Sequence, residues 1–261
     1  MRLLCLNLWG GRQGELLFDY LKTQAVETDI FCFQEVFKSS GGAPKIGKRG
    51  EHFYLLGELE TLLRGFKGFF SPTSRNHDLS GPVDFKTEMG LAVFVKSAHK
   101  KMINKVYPIW GNIDERLKSD FTNIARGLQE TEIKIGNFFL YVFNYHGIPK
   151  PGDKLDTPDR LEQSRKIMGI LEKIEGPKIL CGDFNLMPET ESIAVLEDHI
   201  RNLIKDFKIQ NTRNEISWEQ YHNKQSFADY AFVSAEIKVN NFQAPYNLVS
   251  DHLPLILDFS L

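Results

Sequence analysis

Residues 179–185 have the sequence Ile-Leu-Cys-Gly-Asp-Phe-Asn, which carries the strongest chemical signal in the chain. The apolar residues predict a buried strand, and Asp183 and Asn185 follow it two positions apart. On an extended segment such positions point to the same side, so both side chains can address one phosphate or one attacking water. An Asx-turn leading into a helix near Glu189 explains the same pattern without catalysis.

Polar residues that bind cations or move protons also end or interrupt other apolar runs. They are Asn7, Glu35, Asn144-Tyr145-His146, Asp229 and Ser250-Asp251-His252. One such residue is explained by capping of the next turn. Together with Asp183 and Asn185 these make six groups in one chain, which capping alone hardly explains. We expect them to form one site.

The elements that would position these groups are mainly strands. Apolar runs predict strands over residues 3–8, 30–37, 66–71, 90–95, 105–110, 125–135, 138–145, 178–181, 227–234, 237–242 and 253–259. Helical spacing or capping predicts helices over residues 15–27, 53–64, 157–174 and 189–197. Gly136-Asn137 indicates a hairpin. Because no linker interrupts the pattern, we expect one α/β domain over residues 1–261, with two facing sheets and helices outside.

Composition sets the class of protein. The 261 residues are 42% hydrophobic and 25% charged, which is typical of a globular chain. A net charge of −2 disfavours non-specific coating of DNA but leaves phosphoryl chemistry open. Cysteines 5, 32 and 181 lie in apolar runs, which predicts free thiols in a reducing, cytoplasmic compartment. We expect no membrane span, because no apolar stretch reaches about 18 residues.

Together these motifs resemble the endonuclease/exonuclease/phosphatase superfamily, which has the deoxyribonuclease I-like fold. Asn7, Gln34-Glu35, Asn144-x-His146, Gly182-Asp183-Phe184-Asn185, Asp229 and Ser250-Asp251-His252 occur in the family's order. The resemblance implies a four-layer α/β sandwich of two mostly antiparallel sheets flanked by helices. It also implies a divalent metal, usually Mg²⁺ with Mn²⁺ as a possible substitute, and hydrolysis of a phosphoester.

The resemblance also implies roles for individual residues. Glu35 looks like the principal metal ligand, with Asn7 and Asp251 completing the metal site. Asp183 is similar to the residue that orients or deprotonates water, and Asn185 to the residue that binds the phosphate. His252, held by Asp229, resembles the histidine that contacts the scissile phosphate, and His146 resembles a second active-site histidine. Physically, Mg²⁺ prefers carboxylate and amide oxygens, and a carboxylate that accepts an imidazole N–H favours the charged ring.

Two further residues are candidates with plain alternatives. Glu88 begins an apolar run where some branches carry a glutamate that pairs with the histidine matching His146; the alternative is a solvated residue before a strand. Arg126, at the head of the hairpin, is a candidate for binding substrate phosphate, with a surface arginine as the alternative. Five histidines lie in polar segments without a motif and are expected at the surface: His52, His77, His99, His199 and His222.

The core motifs do not select the substrate, which depends on loops 38–52, 72–87, 111–123 and 147–157. Basic residues of the first loop, Lys38, Lys45, Lys48 and Arg49, favour a nucleic-acid backbone. We therefore rank a monomeric nuclease first. A hydrolase of inositol phosphates, sphingomyelin-type lipids or another small phosphodiester is the alternative, and a catalytically inactive binding module is a remote third. No amphipathic helix or lipidation motif indicates membrane anchoring.

Overall fold

Two six-stranded sheets face each other in the computed structural model of the protein, which describes residues 1–113, 123–221 and 225–261. In chain order the strands are β1 Arg2–Asn7, β2 Ile30–Ser39, β3 Phe66–Arg75, β4 His77–Asp78, β5 Gly81–Pro82, β6 Thr87–Lys96, β7 Met102–Trp110, β8 Arg126–Ile135, β9 Phe138–His146, β10 Lys178–Asp183, β11 Arg201–Asn202, β12 Asp229–Val233, β13 Lys238–Gln243 and β14 Leu255–Ser260. The helices are α1 Glu15–Gln24, α2 Leu55–Leu62, α3 Pro158–Leu171, α4 Glu191–Glu197, α5 Leu203–Asp206 and α6 Glu215–Tyr221, with a short 3₁₀ turn at Trp9–Gly11.

Each sheet is built around one parallel pair. The first sheet has the order β13-β14-β1-β2-β6-β3, and β1 and β2 are its parallel strands. The second has the order β11-β12-β10-β9-β8-β7, and β9 and β10 are its parallel strands. All other pairings within these two sheets are antiparallel. The parallel strands are continuous apolar runs because both of their faces are covered.

Helices cover the outer face of both sheets. Leu17 of α1 and Leu59 of α2 belong to one apolar cluster with Phe31 and Phe33 of the first sheet. On the other side, Ile167 of α3 packs in the cluster that fills the second sheet and the space between the sheets. The four layers predicted from the resemblance are therefore confirmed.

Three buried thiols lie between the sheets. Cys5 and Cys32 are register partners on β1 and β2, and Cys181 is on β10 of the opposite sheet. The thiol of Cys181 contacts both of the others, and all three cysteines are free. This confirms the expectation of buried cysteines without disulfides.

Local signals at two turns are also confirmed. Ile135 and Phe138 close the hairpin between β8 and β9, with Gly136 at φ 57°. Thr157 caps α3 by accepting a hydrogen bond from the Arg160 backbone N–H, and Pro158 is the first helical residue. Within the described residues, no helix has the length and hydropathy needed to cross a bilayer.

Candidate active site

The parallel pair of each sheet delivers side chains to the same edge of the sandwich. Asn7 ends β1, and Glu35 lies on β2 one residue past the Asn7–Gln34 register pair. His146 and Asp183 are register partners at the ends of β9 and β10. Ligand sites in sheets of parallel strands form at the carboxyl ends of the strands, and here two such ends meet.

A backbone irregularity aims Glu35 into this edge. The register between β2 and β6 shifts between Phe33 and Val36, and Glu35 has φ 55°. A non-glycine residue in this region is strained, and such residues cluster at functional sites. The Oε2 atom of Glu35 is buried and has no hydrogen-bond partner among the described residues. Burial, reinforced by the charges of Asp251 and Asp183, raises the pKa of Glu35 to about 7.

Asp183 is the most densely contacted group of the site. Its Oδ2 accepts a hydrogen bond from Asn7 Nδ2 at 3.0 Å and lies 3.4 Å from Nε2 of His146. Its Oδ1 accepts from the backbone N–H of Asn185 at 2.9 Å. Although burial opposes ionisation, the nearby cations, first among them His252, hold the pKa of Asp183 well below its usual range. Asp183 is therefore an ionised carboxylate at neutral pH.

Close approach of two strands explains the glycine before Asp183. A Cβ atom on Gly182 would lie 1.9 Å from the carbonyl oxygen of Tyr145 on β9, and its φ is 147°. No other residue type fits there without moving backbone. Asn185, two positions beyond Asp183, has φ 54° and is buried. The Gly-Asp-Phe-Asn segment is thus a tightly constrained turn that holds both polar side chains.

Asp229 and His252 form a buried ion pair. His252 Nδ1 lies 2.8 Å from Asp229 Oδ2, while its Nε2 lies 3.7 Å from Asp183 Oδ2 and 3.8 Å from Asp251 Oδ1. Burial disfavours the charged ring, but the carboxylates of Asp229, Asp251 and Asp183 outweigh it and raise the pKa of His252 to about 9. The ring is therefore a cation at neutral pH.

The second histidine is neutral. His146 Nε2 lies between Asp183 and Glu35, at 3.4 Å and 3.9 Å from their oxygens. Burial, together with the charge of Arg126, lowers the pKa of His146 to about 3. The site therefore contains one charged and one neutral imidazole, and these can perform different tasks.

Arg126 is a buried cation that faces the site. It is 2% exposed, which excludes the surface alternative, and its Nε and Nη1 atoms have no hydrogen-bond partner in the part of the chain that the structure describes. Burial lowers the pKa of Arg126 to about 10, which leaves it charged at neutral pH. Unpaired guanidinium donors fit the oxygens of an anionic substrate.

The donor set near Glu35 fits a hard divalent cation. The unpartnered Oε2 of Glu35 is beside other carboxylates that disfavour its ionised form, and a cation would reverse that effect. Asp183, Asp229 and His252 also place three ligand atoms within 4.8 Å of one another. In that group Asp229 and His252 already neutralise each other as an ion pair, which leaves Glu35 as the candidate to hold a cation.

A known protein family matches nearly the whole chain. A model of the Endonuclease/Exonuclease/phosphatase family matches residues 4–252. The chain belongs to this family. Its members hydrolyse phosphoester bonds, and the family includes nucleases, phosphatases and phosphodiesterases that are typically dependent on a divalent metal.

Solved structures agree with the family assignment. The endonuclease/exonuclease/phosphatase from Bacteroides vulgatus superposes with a TM-score of 0.71 at 16% identity, over 100% of this chain and 98% of that chain. A family protein from Leptotrichia buccalis gives 0.71 at 19% identity over 100% of both chains. The human Nocturnin catalytic domain, with bound sulfate, gives 0.64 at 21% identity over 100% and 93%. A search of curated proteins found no match. At these identities the likeness shows the fold alone.

One residue expected from the family pattern lies elsewhere. Glu88 does not pair with His146; its Oε1 lies 3.3 Å from Arg75 Nε, and its Oε2 lies 4.0 Å from Lys38 Nζ. The register explains this, because β6 pairs Glu88 with Arg75 on β3 and with Lys38 on β2, so its carboxylate meets surface cations. The carboxylates facing His146 belong to Asp183 and Glu35, whose oxygens lie 3.4 Å and 3.9 Å from its Nε2.

The family motifs do not include several residues that line the cleft, whose volume is about 680 Å³. Lys154 and Arg213 are both buried there, and Arg213 Nη2 donates to Asp251 Oδ2 at 3.1 Å. His77 is also buried in the cleft wall, so its expected surface position is wrong. It lies on the small β4–β5 hairpin. Each strand of this hairpin has only two residues, so the sequence shows no apolar run that would predict it. His222 and residues 114–122 of the third loop lie outside the described residues.

Proposed function

We propose that this protein is a divalent-metal-dependent phosphodiesterase and that its substrate is nucleic acid. The observation that carries the proposal is the convergence in one cleft of ionised Asp183, cationic His252 and the unpartnered carboxylate oxygen of Glu35. Family membership supports hydrolysis of a phosphoester bond.

Glu35 and Asp251 would hold Mg²⁺, or Mn²⁺ in its place, with the Oδ1 atom of Asn7 as a third ligand. Asn7 Oδ1 accepts the Trp9 backbone N–H at 2.9 Å, which leaves its second lone pair for a cation. When bound, the ion polarises a phosphoryl oxygen and stabilises the charge that develops on the leaving oxygen.

Asp183 orients the attacking water in this proposal. A general base works best when its pKa is near the working pH, whereas the pKa of Asp183 is depressed. Asp183 is therefore better suited to hold the water by a strong charge-assisted hydrogen bond than to act as the base that accepts the water's proton. Asn7 Nδ2 and the Asn185 backbone N–H fix the carboxylate in this position.

Three side chains would meet the phosphoryl group. His252 donates from Nε2, because its Nδ1 is engaged by Asp229. Arg126 offers its unpaired Nε and Nη1 donors, and Asn185 offers its amide. Donors that are fixed before the substrate arrives stabilise the charge of the transition state without reorganisation. His146 is neutral and lies between Glu35 and Asp183. It can accept a hydrogen bond from the attacking water or donate one to it.

The charge around the cleft favours a polymer of phosphates. Arg12, Arg49, Lys150, Lys154 and Arg213 line the cleft together with Arg126. Five carboxylates line the same cleft, so these six cations exceed them by one before the charge of His252 is added. In a chain of net charge −2, this local excess supports a phosphate backbone as the ligand.

A small phosphoester is the second candidate because the cleft is bounded. Its volume of about 680 Å³ lies within the range of small-molecule pockets, roughly 300–1,000 Å³. The β4–β5 hairpin and residues 149–154 both contribute to its walls.

A substrate panel tests both candidates. The purified protein is incubated with Mg²⁺ or Mn²⁺ and supercoiled plasmid, single-stranded DNA, RNA, inositol phosphates or sphingomyelin. We expect cleavage of a nucleic acid that is lost with chelator and reduced about 10²- to 10⁴-fold in Asp183→Asn. Phosphate release from small substrates alone would select the second candidate. Nucleic-acid binding without turnover of any substrate would leave a binding module.

A further inference from the structure

Lys154 is a buried ammonium with a single neutral partner. Its side chain lines the cleft, and the residue is only 4% exposed. Its Nζ donates a hydrogen bond to Oδ1 of Asn185. An ammonium carries three donors, so this bond leaves two of them without a partner among the described residues. A buried lysine is normally paired with a carboxylate, because desolvation of an isolated charge is costly.

The charges around Lys154 increase this cost. Burial, with smaller contributions from the cations Arg213 and Arg160, lowers the pKa of Lys154 to about 8. Asp183 and Asp229 act in the opposite direction, but their oxygens are engaged by Asn7, Asn185 and His252. None of the hydrogen bonds described for these carboxylates comes from Lys154, so its two remaining donors are available to an anion from outside the chain.

The loop that carries Lys154 is built to hold it in this position. Arg160, at the start of α3, donates to the carbonyl oxygens of Leu155, Pro151 and Ile148 at 2.5, 2.6 and 3.3 Å. Lys154 itself has φ 60°, a conformation that lysine rarely adopts.

The same loop is tied directly to the Gly-Asp-Phe-Asn segment. The backbone N–H of Met187 donates to the Lys154 carbonyl at 2.8 Å, two residues beyond Asn185. Backbone and side chain of Lys154 therefore both contact the turn that carries Asp183 and Asn185.

We propose that Lys154 is a further phosphate-contacting residue, whose ammonium donates to a non-bridging oxygen of the substrate phosphoryl group beside Asn185. Its bond to Asn185 Oδ1 also fixes the amide. Asn185 Nδ2 donates to the Gly147 carbonyl at 3.4 Å, and its second hydrogen is left to donate to the same phosphoryl group. The identity of the anion as a phosphoryl group rests on the proposed function, whereas the need for an anion rests on the burial of Lys154.

Binding of inorganic phosphate tests the contact without turnover. Phosphate is titrated by calorimetry, in chelator, into the wild type, Lys154→Met and the control Lys173→Met, which alters an exposed lysine of similar chemistry. We expect Lys154→Met to weaken binding roughly tenfold to a hundredfold, the range for a charge-assisted hydrogen bond, while the control matches the wild type. Absence of phosphate binding in the wild type, or equal binding in Lys154→Met, overturns the proposal.

Thermal unfolding separates this role from a structural one. Replacing a buried charge by an apolar side chain of similar length is neutral or stabilising when the charge serves no structural purpose. We therefore expect Lys154→Met to melt at the same temperature as the wild type or higher. A markedly lower Tm together with unchanged phosphate affinity would assign Lys154 to the scaffold.

Turnover then distinguishes the two proposals. With any substrate that the wild type hydrolyses, Lys154→Met should lose about 10²- to 10³-fold in kcat, and Lys154→Arg should recover part of that loss. Equal kcat in Lys154→Met and wild type contradicts the contact. If the wild type hydrolyses no phosphoester while its phosphate binding still requires Lys154, the proposed function fails and this inference stands.

Discussion

Two imidazoles in one cleft differ in charge because their neighbours differ. His252 is surrounded by carboxylates and has a pKa of about 9, whereas His146 is desolvated beside Arg126 and has a pKa of about 3. Sequence analysis places both histidines at strand ends and predicts a charged His252 ring beside Asp229. It does not give the neutral state of His146, which depends on contacts between distant parts of the chain.

Asp229→Asn tests the charge of His252. Burial lowers the pKa of His252, and the Asp229 carboxylate opposes that effect. Without this carboxylate the pKa of His252 should fall from about 9 to near its ordinary value of roughly 6.5. The imidazolium would then be lost at a lower pH, and the alkaline limb of kcat/KM should move down by about two pH units. Titration of the ring by NMR measures the same change in a protein without turnover. A limb that stays near pH 9 would show that another group titrates there.

Glu35→Gln tests the cation site through pH. Because the pKa of Glu35 is raised to about 7, protons compete with metal below that pH, and Mn²⁺ affinity should fall about tenfold per pH unit. In Glu35→Gln the affinity should be low and nearly independent of pH over the same interval. Calorimetric titration with Mn²⁺ measures both. Unchanged Mn²⁺ affinity in the variant would place the ion elsewhere.

Glu35→Gln, which should weaken metal binding, should also stabilise the metal-free protein at alkaline pH. Folded Glu35 binds a proton more readily than unfolded glutamate, whose pKa is 4.5, so its contribution to stability is fully present below about pH 4.5. That contribution is lost as pH rises through about 7. Without metal at pH 8, Glu35→Gln should therefore unfold with a free energy about 3 kcal/mol higher. Urea unfolding in chelator measures the difference.

At the scale of the element, strand ends were predictable and loop contents were not. Asn7, Glu35, His146, Asp183 and the C-terminal Asp251-His252 stand out because polar residues interrupt apolar runs. Lys154 and Arg213 have no such contrast, since they occur among other polar residues. Their roles depend on burial, which a single loop sequence does not reveal.

Arg160→Met tests the loop before α3 as a unit. The guanidinium donates to three carbonyl oxygens through one buried and two part-buried hydrogen bonds, and its loss would remove all three. We expect the free energy of unfolding to fall by about 2–4 kcal/mol and phosphate affinity to fall with it. Arg165→Met, on the exposed face of the same helix, is the control. Equal stability of the two variants in urea would show that the loop holds its shape without Arg160.

At the scale of the whole molecule, the apolar pattern indicated two sheets with helices outside but not the order of their strands. β14, from the end of the chain, pairs with β1, and this brings Asp251 and His252 to Asn7. Pairings between residues so far apart in sequence are chosen by packing of the complete sandwich. The family resemblance supplied the four layers, but neither it nor composition and periodicity gave the order of the strands.

The three thiols between the sheets can report how often the sandwich opens. Cys5, Cys32 and Cys181 are at most 1% exposed, so a thiol reagent reaches them only when the sheets separate. All three should then be labelled together, at a rate that follows the frequency of that opening and rises steeply with urea. Mass spectrometry of a labelling time course would show unmodified and triply modified chains with little between them. One thiol labelled well ahead of the others would mean that part of the sandwich opens by itself.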